Sequence, residues 1–218
     1  MKRAAAQAAL EYVGPGSTIG VGTGSTAAFF IEALAAWAQP IAAAVPSSGA
    51  TAAALRAVGI RVVEPAAAPY LLPLYIDGAD EVDPEFRLIK GGGGAHMREK
   101  ALATAAELFV CIVDEAKLVD RLGRFPVPLE VLPWAAPLVA GCVSALGGRA
   151  AARPGFVTDN GNAVLDVLGL DLTDPEGLEL ELDAIPGVLE CGIFARRRAD
   201  VVLVGTAAGV RTLRRPGH

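Results

Sequence analysis

The sequence predicts an α/β protein, with a mostly parallel, doubly wound sheet followed by a smaller α+β unit. Three observations predict it. Short apolar runs alternate with helix-like stretches through the first half, as parallel strands joined by crossover helices require. That alternation stops at Phe125-Pro126-Val127-Pro128, a proline-marked segment suited to a boundary. Beyond it the order becomes helix, Asn-Gly hairpin, helix and strand. The expected division is residues 1–124 with 199–218 for the sheet domain, and 125–198 for the smaller one.

In chain order, residues 17–21 (STIGV) read as the first strand, and a glycine-rich turn leads into a helix over 25–36. Residues 41–45 form the second strand and 50–58 a helix. Residues 60–63 give a third strand, and 70–76 (YLLPLYI) a fourth with one interrupting proline. A glycine loop then enters a helix over 97–108, and 109–113 (FVCIV) is a buried strand. Past the boundary, a helix covers 135–146. Residues 156–158 and 163–167 flank Asp159-Asn160-Gly161-Asn162, and Asn-Gly between apolar runs is a strong hairpin signal. A helix over 176–184 precedes an apolar run over 188–194. Residues 200–204 (DVVLV) suit a buried strand placed to rejoin the first sheet.

Composition narrows the function classes. The balance of 53% apolar and 20% charged residues is globular and not disordered. With 19 basic against 24 acidic residues the net charge is −5, and no Lys/Arg block occurs, which argues against nucleic acid as the main partner. The Met1-Lys2-Arg3 start resembles a signal peptide only until Gln7 and Glu11 interrupt it. Residues 131–148 carry no charge, but prolines and glycines break them and a buried alanine-rich helix is the better reading. Cys111, Cys142 and Cys191 are widely spaced in apolar surroundings, which fits buried reduced thiols in a soluble cytoplasmic protein. Arg196-Arg197-Arg198 reads as a solvated turn, with subunit contact as the sharper alternative.

Three segments are candidates for chemistry. Gly20-Val21-Gly22-Thr23-Gly24-Ser25-Thr26 stands where a strand gives way to a helix. Free helix N–H groups and three hydroxyls suit an anion, with phosphate the natural guest; a tight turn with a capping hydroxyl is the plain alternative. The spacing is not G-x-G-x-x-G, and no Lys precedes Ser25 as a Walker A motif would require. Next, an apolar strand runs into Asp77, Asp80, Glu81 and Asp83, four carboxylates within seven residues. Carboxyl ends of strands are where open α/β sheets bind ligands, and crowded carboxylates suit proton transfer. A solvated acidic turn with a helix cap is equally compatible with that spacing, and a Mg²⁺ site is a third alternative. Last, Lys90-Gly91-Gly92-Gly93-Gly94 leads through Ala95-His96-Met97-Arg98 to Glu99. Four glycines suggest backbone packed against a ligand, with Lys90 for charge stabilisation and Glu99 as a base. A flexible loop with a surface lysine and a first-turn glutamate is the bland counterpart. His96 reads as peripheral, and the only other histidine is His218. The three segments converge on a phosphorylated small molecule.

Together these stretches resemble the ribose-5-phosphate isomerase family, type A. The likeness rests on GVGTGST (20–26), YIDGADEVD (75–83), LIKGGGGA (88–95) with REK (98–100), and VDEAK (113–117). It continues through RFPVPLEVLP (124–133), VTDNGN (157–162) and AIPGVLECGIFA (184–195). The resemblance implies a Rossmann-like domain with a smaller α+β domain, and a cytoplasmic homodimer. It also implies aldose–ketose isomerisation of D-ribose 5-phosphate and D-ribulose 5-phosphate through a cis-enediolate, in the pentose phosphate pathway, without metal or cofactor. By position it makes Glu99 the proton-transferring base and gives catalytic parts to Asp77, Asp80 and Lys90. It puts Thr23, Gly24, Ser25, Thr26, Asp77, Gly78, Ala79, Asp80, Lys90, Gly91, Gly92, Gly93 and Lys117 at the substrate, with Lys2 as a phosphate contact. The stretch Ser47-Ser48-Gly49-Ala50 and the pair His96-Met97 depart from the family pattern. The rival readings are a non-catalytic sugar-phosphate sensor and an amino-sugar-phosphate deaminase-isomerase. A nicotinamide dehydrogenase ranks last because of the glycine spacing.

Overall fold

The computed structural model describes residues 1–217; His218 lies outside the described residues. The chain opens with helix α1 (Lys2–Ala8), β1 (Thr18–Val21), α2 (Ser25–Ala36), β2 (Ala43–Pro46), α3 (Gly49–Ala57) and β3 (Leu72–Asp77). Two short strands follow, β4 (Glu81–Val82) and β5 (Leu88–Ile89), then α4 (His96–Thr104) and β6 (Ala106–Asp114). The next stretch holds β7 (Val127–Val131), α5 (Ala136–Ala145), β8 (Arg149–Ala152), β9 (Ala163–Leu168) and α6 (Pro175–Asp183). Strands β10 (Val188–Cys191), β11 (Ile193–Phe194), β12 (Val201–Thr206) and β13 (Gly209–Arg214) complete it.

The elements group into two compact units. Among the described residues the first takes 1–79, 98–118 and 199–217; the second takes 80–97 and 119–198. The first unit holds a six-stranded sheet in the order β13-β12-β6-β3-β1-β2, parallel except for the β12–β13 hairpin. Its inner strands are largely apolar because helices cover them, whereas the edge strand β13 is mostly exposed: Ile19, Val21, Ile76, Val110, Ile112 and Val201 join one core with Phe30 and Leu34 of α2 and Ala5 and Ala6 of α1. The second unit has a four-stranded antiparallel sheet, β10-β7-β9-β8, and a small sheet, β11-β5-β4. Leu129, Val131, Val139, Leu165 and Leu182 form its separate core.

Local chemistry fixes the helix starts. Ser48 accepts from the Thr51 N–H at 3.1 Å to cap α3, and Asp174 accepts from the Gly177 N–H at 3.1 Å to cap α6, whose first residue is Pro175. Gly24 precedes α2 at φ +121°, a conformation that L side chains rarely adopt.

The α/β class with a smaller second unit is as expected, but several elements differ. The segment 80–97 groups with the second unit, because β4 and β5 pair with β11. Residues 60–63 make only an isolated parallel bridge, Ala44 with Val62, before Pro65 turns the chain away. The strand β6 begins at Ala106, so the helix before it is shorter than its apolar pattern suggests. The hairpin is built from β8 and β9, not from 156–158, and β8 hid in Arg149-Ala150-Ala151-Ala152 because alanine is a poor strand signal. Pro128 lies inside the central strand β7, where its carbonyl accepts from the Gly192 N–H at 2.7 Å. Helix α5 buries only Val139 and Val143, so it is a surface helix and not a buried one. Cys142 on it is exposed, whereas Cys111 and Cys191 are buried. Arg198 is held by Glu176 and Glu85 and donates to the Ala195 carbonyl at 2.9 Å, so that turn is not simply solvated. Among the described residues no helix is long and apolar enough to cross a membrane.

Candidate active site

In the first unit, β1, β2 and β3 lie side by side in parallel, with Val21 opposite both Pro46 and Ile76. Their carboxyl ends therefore deliver Gly22–Thr26, Ser47–Ser48 and Asp77–Gly78 to one edge of the sheet, where such sheets bind ligands. Asp77 is fully buried. Its Oδ1 accepts from the backbone N–H groups of Thr23 at 3.0 Å and Gly78 at 2.7 Å, and its Oδ2 accepts from the Tyr75 hydroxyl at 2.5 Å. Gly22 is required beside it: a Cβ there would stand 1.8 Å from the Asp77 Cγ.

A cluster of hydroxyls backs the glycine turn. The Thr23 Oγ1 lies 2.7 Å from the Ser47 Oγ, 2.8 Å from the Ser48 Oγ and 3.1 Å from the Thr51 Oγ1. Thr51 in turn donates to the Gly22 carbonyl at 2.9 Å. Thr26 is buried in the first turn of α2, while Gly24 and Ser25 are exposed. The Lys2 ammonium donates to the Ser25 hydroxyl at 2.9 Å and stands 3.9 Å from Asp114, so a cation sits at this helix start. Lys117 ends the short 3-10 turn Glu115–Lys117 and is half-buried.

Glu99 is buried in the first turn of α4, where the helix dipole favours a negative charge. Tyr75 reports on both carboxylates. Burial pushes its phenol well above the ordinary 10.0, and the negative charges of Asp77 and Glu99 push it further. Tyr75 is thus held neutral as a donor. With its folded value raised, the neutral ring contributes stability that is complete below about pH 10, the ordinary tyrosine value, and is lost as pH climbs through the raised one. The unfolding midpoint of the wild type should therefore fall more steeply above pH 10 than that of Tyr75→Phe, which parallel melts would read.

The second unit carries the other expected residues. The Asp80 N–H donates to the Ile89 carbonyl at 2.8 Å, and its Oδ2 accepts from the Gly92 N–H at 2.8 Å. Lys90 is 2% exposed; its N–H donates to the Gly192 carbonyl at 2.9 Å, and its ammonium lies 5.5 Å from the centre of the Phe194 ring. The loop turns back at once, with the Gly94 N–H donating to the Gly91 carbonyl at 2.9 Å and φ of +105° at Gly91. Gly92 and Gly93 are exposed.

The four crowded carboxylates sort themselves. Asp77 and Asp80 are placed as above. Glu81 accepts from the N–H groups of Gly123 at 2.7 Å and Phe125 at 2.6 Å, and Asp83 accepts from those of Glu85 and Arg87 and from the Arg87 side chain. The latter two are structural, which removes half of the set that suggested Mg²⁺. Among the described residues the one group spaced like metal ligands is Asp183, Glu190 and Cys191; both carboxylates there accept from the Cys191 N–H, which accounts for their meeting. His96 is fully buried and accepts from the Glu130 N–H at 3.1 Å, a packing role. The reading of the sequence did not single out Ser47, Ser48, Thr51 or Tyr75 as parts of the site. The signal that could have found Ser47, Ser48 and Tyr75 is strand pairing, since β2 and β3 flank β1; Thr51 follows in the first turn of α3.

Known proteins resemble this chain over nearly its whole length. The family described as ribose 5-phosphate isomerase A (phosphoriboisomerase A) matches residues 43–209. The ribose-5-phosphate isomerase A of Acidithiobacillus ferrooxidans is 55% identical over 210 residues, covering 96% of this chain and 95% of that one. The crystal structure of ribose 5-phosphate isomerase A from Neisseria gonorrhoeae superposes with a TM-score of 0.95 at 46% identity, covering 98% and 95% of the two chains. A D-ribose-5-phosphate isomerase in complex with phospho-erythronic acid superposes with a TM-score of 0.93 at 38% identity, covering 98% and 97%. A match of this extent, over a chain that carries every motif in order, shows that this protein belongs to the ribose 5-phosphate isomerase A family.

Proposed function

We propose that this chain interconverts D-ribose 5-phosphate and D-ribulose 5-phosphate through a cis-enediolate, with Glu99 as the proton-transferring base. The observation that carries the reading is the buried Glu99 carboxylate on α4, in the same unit as Asp77 and acting with it on one tyrosine. Family membership supports the same assignment.

The reaction moves one proton from C2 to C1 and another between the two oxygens. Glu99 takes the C2 proton, the C2–H electron pair becomes the C1–C2 double bond, and O1 receives the negative charge. Returning the proton to C1 of the planar intermediate from the same face, while the O2 proton passes to O1 and the C2 carbonyl forms, regenerates the carboxylate and gives the ketose. Triosephosphate isomerase uses a glutamate base in this way, as a known case. Lys90 and the amides of Gly91–Gly93 meet charge that develops only in the intermediate, which is where stabilisation accelerates the step. Asp77 and Asp80 hold the sugar hydroxyls, one of them assisting ring opening. Thr23–Thr26, Lys2 and Lys117 hold the far end of the substrate, and that binding positions C1 and C2. A relative is described in complex with phospho-erythronic acid, a phosphorylated sugar acid of the chemical class this scheme requires. The reading carries with it a cytoplasmic homodimer that needs no metal, working in the pentose phosphate pathway.

The test is conversion of ribose 5-phosphate by EDTA-treated protein, with light scattering on the same sample. Fast turnover by a dimer is the expected result. Tight sugar-phosphate binding without turnover would make the chain a sensor and overturn the proposal.

A further inference from the structure

The second unit contains a device that touches neither Lys90 nor Asp80 yet fixes the loop between them and α4. Arg153, just past β8, forms a two-point ion pair with Asp166 of β9: Nη2 to Oδ1 at 2.6 Å and Nε to Oδ2 at 3.0 Å. This geometry leaves Nη1 aimed at the glycine loop, donating to the Gly92 carbonyl at 3.1 Å, with the Gly91 carbonyl 3.4–3.5 Å from the two terminal nitrogens. The guanidinium also lies 5.1 Å from the centre of the Phe156 ring. That ring occupies the space beside Gly94 so closely that a Cβ there would stand 2.4 Å from it.

Peptide geometry turns these contacts into an orientation. In a trans peptide the C=O of one residue and the N–H of the next point in opposite directions. The peptide joining Gly91 to Gly92 is pinned at both ends, with its carbonyl toward Arg153 and its N–H bonded to Asp80 at 2.8 Å. The peptide joining Gly92 to Gly93 is held by its carbonyl on Arg153, which turns the Gly93 N–H away from the guanidinium. A run of glycines has no side chains to choose these planes for it, so an outside group must. A lysine could not substitute, because a single ammonium cannot present a planar fork to Asp166 and also aim a fixed donor at the loop.

The geometry points to Arg153 as a positioning residue for the isomerase reaction, acting through the amide orientations of the Gly91–Gly93 loop, with Asp166 fixing its guanidinium. This inference rests on the function proposed above. It concerns the chemical step more than substrate capture, because loop amides meet charge that forms after binding.

Arg153→Ala and Arg153→Lys, compared with the wild type for ribose 5-phosphate turnover, test it. Both should lower kcat on the order of 10²-fold, the loss that about 1 Å of misplacement brings, with KM changed far less. Added guanidinium ion should restore part of kcat to Arg153→Ala, whereas methylammonium should not. Rescue by a denaturing cation is a result that a merely structural role for Arg153 would not produce. Unchanged kcat in both variants would overturn the inference, and so would a loss that guanidinium fails to reverse. If the wild type itself shows no turnover, the isomerase reading fails and this inference falls with it; active wild type with indifferent variants sinks the inference alone.

Discussion

Glu99→Gln should remove turnover and leave sugar-phosphate binding in place. The substitution keeps the shape of a side chain that is buried on α4, so packing around it changes little. What it removes is the ability to accept a proton from carbon and return it. Positioned general bases contribute about 10²–10⁴-fold, and here one group serves both halves of the transfer, so a fall in kcat on the order of 10³-fold or more is expected. Calorimetry with ribose 5-phosphate should still show binding. A second readout separates the base from a bystander: in heavy water the wild type should place deuterium on C1 of the ketose, and the variant should not. Near-normal turnover in Glu99→Gln would mean that another group is the base.

Gly22→Ala should damage stability and activity together. The φ of Gly22 lies outside the left-handed region, so its backbone is one that alanine can adopt. The obstacle is the Asp77 carboxyl group, whose atoms would stand 1.8 and 1.9 Å from the new methyl carbon. Asp77 must then move, abandoning the N–H groups of Thr23 and Gly78 and the hydroxyl of Tyr75. Overpacking costs about 1–3 kcal/mol and each stranded buried donor about 1–3 kcal/mol, so the melting temperature should drop by at least about 10 °C. Turnover should fall at least as far as the loss of Asp77 alone would bring. Gly24→Ala is the control, since its Cβ would meet nothing within 4 Å but its φ is +121°, leaving backbone strain alone. A Gly22→Ala protein as stable and active as the wild type would show that Asp77 can give way without consequence.

What was legible in the sequence is what a single strand-to-loop junction carries. The glycine turn after β1, the aspartate after β3 and the glycine run before α4 each announce themselves locally, through residue types that ordinary loops avoid. Residues that act through register do not. Tyr75 faces inward on β3, where it reads as one more apolar position; only its pairing with Gly20, whose own Cβ would stand 2.7 Å from the ring, places it beside β1. Ser47 and Ser48 read as the end of a strand until β2 is set against β1. Arg153 and Asp166 lie 13 residues apart across the excursion that separates β8 from β9, and the expected hairpin over 156–167 hid their pairing. Charge spacing offered no better guide, since Glu81 and Asp83 look like their neighbours Asp77 and Asp80 and serve only the backbone and Arg87.

The sheet of the first unit is closed late in synthesis. Its long strand β6 is complete at Asp114, yet the neighbour on its outer side, β12, begins only at Val201, after the intervening chain has been made. A growing chain therefore carries a nine-residue strand with one unpaired edge and an almost continuous apolar sequence until the last strands emerge. Contacts of such long sequence separation form slowly, and open edges of this kind recruit other chains. The vulnerable species is the nascent polypeptide, and a chain stopped at Arg198 should aggregate even though every residue of Thr23–Glu99 is present.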